Sequence, residues 1–207
     1  YVFVQGDIAD PGMVDSVFRT HAPGSVIHFA AESHVDRSIA GPAPFIHTNL
    51  VGTFNLLEAA RRLWMEQDSC SGCRFHHVST DEVYGQLDDH DPPFSEQTAY
   101  DPRSPYSASK AGADHLVRAY FHTYGLPVTV SNCSNNYGPY QYPEKLIPVV
   151  IDTAISGRPI PVYGTGTNIR DWLFVEDHCR GIHRVLERGT PGRTYNFGGE
   201  AEVRNVD

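Results

Sequence analysis

Arg74-Phe75-His76-His77-Val78-Ser79 runs straight into Thr80-Asp81-Glu82, and the reading of this stretch decides the fold. A short run that is mainly apolar and aromatic and breaks off at a polar triplet reads as a buried strand ending in a loop. On its N-terminal side, Pro44 to about Met65 carries apolar residues at helical spacing through Leu50, Phe54, Leu57 and Ala60. On its C-terminal side, Ser104-Pro105 reads as the start of a second long helix reaching about Tyr124, with Ser104 as N-cap and Pro105 at the first helical position. A strand set between two long helices belongs to a βαβ unit.

The same alternation continues outward. Ser25 to Ala31 (SVIHFAA) and Leu126 to Cys133 (LPVTVSNC) are further apolar strands. Tyr1-Val2-Phe3-Val4 reads as another buried strand ending in Gly6-Asp7-Ile8, after which Asp10-Pro11 caps a helix to about His21. Repeated βα units predict an α/β fold with a Rossmann-like parallel sheet covered by helices on both faces. From about Tyr137 the pattern loosens under Pro139, Pro143, Pro148, Pro159 and Pro161. A helix from Lys145 to Ser156, a short strand from Ile160 to Tyr163, strands at Trp172–Val175 and Thr194–Phe197, and a helix from Glu176 to Arg188 are predicted there. The expected division is 1–136 as a partial dinucleotide-binding domain and 137–207 as a smaller lobe, with about 171–188 returning to the sheet.

Composition sets outer bounds. The 207 residues suffice for one large domain or a domain with a lobe, and 40% hydrophobic with 20% charged residues is ordinary for a globular chain. A net charge of −9 argues against nucleic acid or an anionic membrane as the main partner, since both select a basic face. No apolar run approaches the ~20 residues of a membrane span, and the expected location is cytoplasmic. Of the four cysteines, Cys133 and Cys179 fall in a predicted strand and helix, as small core thiols would. Cys70 and Cys73 form a C-x-x-C in a polar loop, without the helix start or second ligand pair that a redox or zinc role needs.

In parallel sheets, ligands lie beyond the carboxyl ends of the strands. Those positions are Asp7-Ile8, Ala30 to His34, Thr80-Asp81-Glu82 and Ser134-Asn135-Asn136. Adjacent acids facing a closed pocket divide into an acid and a base, because burial and mutual repulsion raise at least one pKa. Tyr106 and Lys110 stand one helical turn apart on a shared face, where an ammonium can stabilise a phenolate that otherwise forms only near pH ~10.

Tyr106-x-x-x-Lys110 together with Val78-Ser79-Thr80-Asp81-Glu82-Val83-Tyr84-Gly85 resembles the extended short-chain dehydrogenase/reductase superfamily and, within it, the dTDP-glucose 4,6-dehydratases. The resemblance extends over His28 to Ser38, Ser131 to Pro148 and Arg170 to His178. It implies NAD as cofactor and dTDP-glucose as substrate. Tyr106 would deprotonate the sugar 4-hydroxyl with Lys110 and Thr80 assisting, Glu82 would remove the proton on carbon 5, and Asp81 would protonate the hydroxyl leaving carbon 6. Asp7, Ile8, Ala30, Ala31, Ser33, Thr48 and Asn136, with Tyr106 and Lys110, would line the cofactor. Ser33, Thr80, Asn135, Lys145, Leu146, Ile147, Pro148, Pro161, Val162, Tyr163, Arg170 and Asn205 would contact the substrate. No metal is implied, and the two long helices suggest a homodimer.

The chain departs from the family in one respect. The glycine-rich turn that brings a helix N-terminus to the cofactor pyrophosphate is not found, so the N-terminal glycine-rich βαβ portion is expected to be absent and the chain to be an internal fragment. Two other readings share much of the pattern. A sugar-nucleotide 4-epimerase would not need the paired acids, and a non-catalytic dinucleotide-sensing protein would not need Tyr106, Lys110, Asp81 and Glu82 together.

Overall fold

The computed structural model describes residues 1–66, 72–88, 90–162 and 165–206. The elements in order are α1 (Pro11–His21), β1 (Ser25–His28), α2 (Val35–Ala40), α3 (Ala43–Phe45), α4 (Thr53–Arg61), β2 (Arg74–Thr80), α5 (Pro105–Tyr124), β3 (Val128–Cys133), β4 (Asn135–Tyr137), α6 (Leu146–Ile155), β5 (Ile169–Phe174), α7 (Val175–Arg188), β6 (Thr194–Phe197) and β7 (Glu202–Arg204). A wide π-helical segment, Ile46–Gly52, joins α3 to α4, and another, Arg62–Glu66, extends α4, so the predicted long helix is one helical stretch.

Contacts divide the chain into two units. The first comprises Tyr1–Asn132 with Val185–Asn196, and the second Cys133–Arg184 with Phe197–Asp207. The first is built on the parallel sheet, in strand order β1-β2-β3-β6, with β1 and β2 in register from Ser25 opposite Arg74 to His28 opposite His77. Its core joins Val14 and Phe18 of α1, Leu57 and Ala60 of α4, Phe75 of β2, Val117 and Tyr120 of α5, and Val128 and Val130 of β3. The sheet also buries polar side chains. His76 reaches Thr129 Oγ1 at 2.9 Å and Ser131 Oγ at 3.0 Å, so both ring nitrogens are bonded inside the strands.

The helix ends follow local chemistry. Asp10 accepts from the amides of Gly12 and Met13, with Pro11 in the first turn of α1. Ser104 and Ser107 form a reciprocal capping box at α5, and Gly125 closes that helix at φ +71°. The second unit carries a three-stranded sheet, β4-β5-β7, with β4 parallel and β7 antiparallel to β5.

Several expectations are corrected. Tyr1 to Val4 form no strand; their side chains are exposed, Phe3 at 72%. An apolar run becomes a strand only where a neighbour takes its amides and carbonyls, and no described strand pairs with this one. Ile160 to Val162 are irregular and exposed for the same reason, and Tyr163 lies outside the described residues. Cys133 is half-buried and Cys179 exposed, and neither is joined in a disulfide. The buried positions of α7 are His178, Ile182 and Val185, a stripe that leaves Cys179 outside it. Cys73 is buried, while Cys70 lies outside the described residues. Among the described residues, no helix is long and apolar enough to cross a membrane and no group of side chains is arranged to hold a metal ion.

Candidate active site

In the first unit, the end of β2 and the start of α5 carry the reactive side chains. Thr80 ends the strand and caps a single 3-10 turn, Asp81–Tyr84, its Oγ1 accepting from the Glu82 amide at 3.3 Å and donating to Asp81 Oδ1 at 3.3 Å. Val83 and Tyr84 bury themselves against Ala111 of α5, so the turn is riveted down behind the acids, and Asp81 and Glu82 remain half-buried in front. The Tyr84 hydroxyl donates to Asn196 Oδ1 at 2.8 Å, and its burial pushes the phenol up to about 12. Gly85 ends the turn at φ +99°, where an added Cβ would stand 2.6 Å from the Asp101 carbonyl oxygen; only glycine fits.

Tyr106 and Lys110 sit on the buried face of α5 at 9% and 4% exposure. Lys110 Nζ donates to the Val78 carbonyl at 2.9 Å, which ties the helix to the strand just ahead of Thr80. The Tyr106 ring meets Phe45 edge-on at 6.3 Å between centroids. Thr80, Asp81, Glu82, Tyr106 and Lys110 therefore all belong to the β2–α5 junction.

The expected cofactor residues of this unit are linked by a polar chain that the sequence did not disclose. Asn49, within Ile46–Gly52, accepts from the Glu32 amide at 2.9 Å and donates to the Glu32 carbonyl at 3.1 Å and to Ser109 Oγ at 2.8 Å. Ser109 in turn donates to the Tyr106 carbonyl at 2.7 Å. The loop holding Ala30, Ala31 and Ser33 is thus fastened to the helix of Tyr106 through one buried amide. At the other end, Ile8 packs on Gly52 and its carbonyl accepts from Asn55 at 3.0 Å, while the exposed Asp7 is bonded through Oδ1 to the Ala9 amide at 2.8 Å. Thr48 is half-buried beside Asn49.

Beneath the reactive residues lie His77, Asp114, Tyr100 and Asn132, none of them flagged by the sequence reading. His77 Nε2 is 3.2 Å from Asp114 Oδ1, and Tyr100 donates to Asp114 Oδ2 at 2.8 Å. Burial alone would raise the Asp114 carboxyl, but the His77 bond and the charges of His77 and Lys110 outweigh it and hold the group below the usual carboxylate range. The signal for Asp114 was present in the spacing, since it follows Lys110 by the same four residues that separate Lys110 from Tyr106.

The second unit holds the remaining expected contacts. Asn136 Oδ1 meets His178 Nδ1 at 2.8 Å and its amide donates to Ser134 O at 3.0 Å, with the half-buried Asn135 adjacent. Arg170 and Asn205 lie on the paired strands β5 and β7 or just past them, where Ile169 faces Arg204 and the Asn205 amide donates to the Asn168 carbonyl at 3.0 Å. Asn205 Oδ1 is buried without a hydrogen-bond partner. Lys145 and Leu146 open α6, and Ile147 and Pro148 line a cavity of about 650 Å³ with Tyr140 and Pro143. Pro161 and Val162 are exposed in the segment that precedes β5.

Comparison with known proteins gives a consistent result. The chain is 56% identical over 217 residues to dTDP-glucose 4,6-dehydratase of Escherichia coli and 58% identical over 209 residues to that of Neisseria meningitidis serogroup B. It spans about 60% of the length of these curated relatives, while all of the chain is matched. DesIV, a dTDP-glucose 4,6-dehydratase of Streptomyces venezuelae solved as a double mutant with NAD and DAU bound, superposes at TM-score 0.90 with 46% identity over 99% of this chain and 60% of its own. A UDP-glucose 4-epimerase of Thermotoga maritima, solved with UDP-glucose, gives the same TM-score at 27% identity over 99% of this chain and 65% of its own. The sequence pattern of the GDP-mannose 4,6 dehydratase family matches residues 1–207 from end to end, and the chain belongs to that family.

Proposed function

We propose that this chain carries the catalytic centre of an NAD-dependent dTDP-glucose 4,6-dehydratase, a hydro-lyase forming dTDP-4-keto-6-deoxyglucose and water. The observation that carries the reading is the β2–α5 junction, where a buried Tyr106–Lys110 pair and the Thr80-Asp81-Glu82 turn share one unit. The curated relatives at 56% and 58% identity favour this chemistry over epimerisation, since the solved 4-epimerase of Thermotoga maritima is 27% identical. The paired acids favour it too, because epimerisation eliminates no water.

The residues suit a dinucleotide. Ala30 and Ala31 are small, Ser33 and Thr48 offer hydroxyls, and Lys110 offers the cation. These residues, with Asp7, Ile8 and Asn136, would hold NAD. Uptake of hydride from carbon 4 and its return to carbon 6 is the chemistry NAD supplies when bound. Tyr106 takes the 4-hydroxyl proton while the Lys110 charge stabilises the phenolate and Thr80 hydrogen-bonds the same hydroxyl. Glu82 takes the carbon 5 proton, acidified by the neighbouring ketone, and Asp81 gives a proton to the departing carbon 6 hydroxyl.

Arg170, Asn205 and Asn135 would bind the diphosphate and sugar, and the buried Asn205 Oδ1 would find its missing donor there. Lys145, Leu146, Ile147, Pro148, Pro161, Val162 and Tyr163 would hold the nucleoside. Ile46, Val51 and Phe54 are exposed along one helical stretch, which suits a homodimer face, and a nucleotide-sugar substrate suits a cytoplasmic protein. The test is incubation of the intact protein with dTDP-glucose. A 4-keto-6-deoxy product without net NADH is the expected result, and a 4-epimer or unchanged substrate would overturn the reading.

A further inference from the structure

Asp81 and Glu82 stand on a 3-10 turn of four residues, Asp81–Tyr84. So short a turn has little stability of its own, and its orientation depends on what ties its two ends to the rest of the fold. The first end is continuous with β2, and there Asn132 Nδ2 of β3 donates to the Thr80 carbonyl at 3.1 Å. The other end runs through Gly85 into the irregular segment that leads to α5. That end is held by the Asp101 amide, which donates to the Val83 carbonyl at 3.0 Å, and by the Tyr84 hydroxyl, which donates to Asn196 Oδ1 at 2.8 Å.

Asn196 lies on β6, the strand beyond β3 in the sheet, so the Tyr84 hydroxyl reaches past β3 to find its acceptor. Both partners are themselves fixed. The Asn196 amide donates to Glu96 Oε1 at 2.9 Å. The Tyr84 ring lies 5.1 Å from that of Phe94 and meets Tyr100 edge-on at 5.2 Å between centroids. Burial pushes the Tyr84 phenol up to about 12, so near neutral pH it remains a donor. Tyr106 and Lys110, by contrast, are carried by the 20-residue α5, which has its own caps and is tied to Val78 by Lys110. The reactive groups are thus mounted in two parts, one on a long helix and one on a short turn.

We propose that Asn196, acting through the Tyr84 hydroxyl, is a positioning residue for Asp81 and Glu82. It fastens the free end of their turn to the sheet and so sets where the two acids stand relative to Tyr106. For its kinetic consequence this rests on the dehydratase reading, whereas the tether itself does not.

The test has two arms, both in the intact protein. Tyr84→Phe deletes the hydroxyl and keeps the packed ring, and Asn196→Ala removes the acceptor from a half-buried position, so each variant probes the bond if the other fails to fold. In a single turnover of dTDP-glucose, the absorbance of reduced cofactor rises with oxidation at carbon 4 and decays only once elimination has occurred. A shift of the acids that spares Tyr106 should slow the decay ~10-fold or more and leave the rise within ~3-fold of the parent's. The double variant should be no slower than the slower single variant, since both changes break one bond. Equal slowing of the two phases, an unchanged decay, or losses that multiply in the double variant would each overturn the proposal.

The second arm is amide hydrogen exchange without substrate or cofactor. In either variant the amides from Glu82 to Gly85 should exchange faster, while those of β2 and α5 keep the parent's rates. Unchanged exchange in the turn, or a rise spread evenly over the turn, β2 and α5, overturns the proposal. This arm decides the matter if dTDP-glucose proves not to be a substrate, an outcome that would sink only the proposed function.

Discussion

Asp81 and Glu82 are consecutive, half-buried acids in the turn after β2. Thr80 Oγ1 donates to the Asp81 carboxylate and accepts from the backbone amide of Glu82. Two acids at one site take opposite parts in an elimination when their pKa values are pushed apart. Glu82→Gln should therefore still reduce bound NAD from carbon 4 and then stall, giving a persistent absorbance of reduced cofactor and no 6-deoxy product. Normal turnover by this variant would remove Glu82 from the role of carbon 5 base. Tyr106→Phe keeps the ring that packs on Phe45 and deletes only the phenol. It should slow the first oxidation by at least the ~100-fold of a positioned base while barely shifting the melting temperature. A rate within a few-fold of the parent's would place the base elsewhere.

At the scale of elements, the loop after β1 and the helix α5 are held in register by Asn49. It lies in a π-helical segment, a geometry that concentrates at functional sites, and is 1% exposed. Asn49→Ala deletes its bonds to Glu32 and Ser109 and strands buried partners, for a loss of about 2–3 kcal/mol in urea unfolding. Because the loop carries Ala30, Ala31 and Ser33, NAD affinity should fall in the same variant. An unchanged unfolding midpoint with unchanged NAD affinity would show that the loop is held by other means.

For the whole molecule, the buried histidines set the response to acid. The folded-state pKa values of His28 and His77 lie below the ~6.5 of the unfolded chain, so the unfolded state binds more protons as pH falls. Stability is full above about pH 6.5 and declines below it, by up to ~1.4 kcal/mol per pH unit for each histidine within its window. Asp114, also depressed, adds a loss of the same sign further down, below the ordinary carboxylate pKa. Denaturant midpoints measured from neutral to acid pH should show this slope, and His28→Gln should flatten it; a flat parent profile would mean that the rings are solvated. A second expectation concerns residues 1–207 on their own. The sequence shows no glycine-rich turn, Tyr1, Val2 and Phe3 are exposed, and Ile27 and Phe29 are exposed on or next to β1, an edge strand of the sheet. Alone, it should bind NAD far more weakly than the dehydratases it resembles, show no dehydratase activity and tend to aggregate. Micromolar binding in calorimetry by a monodisperse sample would contradict this.

What the sequence by itself determined is what is local. Ser104, Pro105 and Gly125 bound α5 because caps act on the nearest amides and carbonyls, and Tyr106 with Lys110 was legible because four residues along a helix is one turn in space. Thr80, Asp81 and Glu82 stood out for a related reason, as polar residues at the end of a buried strand. The tertiary structure alone decided which apolar runs found partners. Tyr1–Val4 reads much like Ser25–His28, yet only the latter has a ladder to join, since pairing depends on what lies alongside and not on the run itself. It alone also brought Asn49 to Ser109 across sixty positions, and His77 to Asp114, because contacts between distant segments leave no periodic trace in either one.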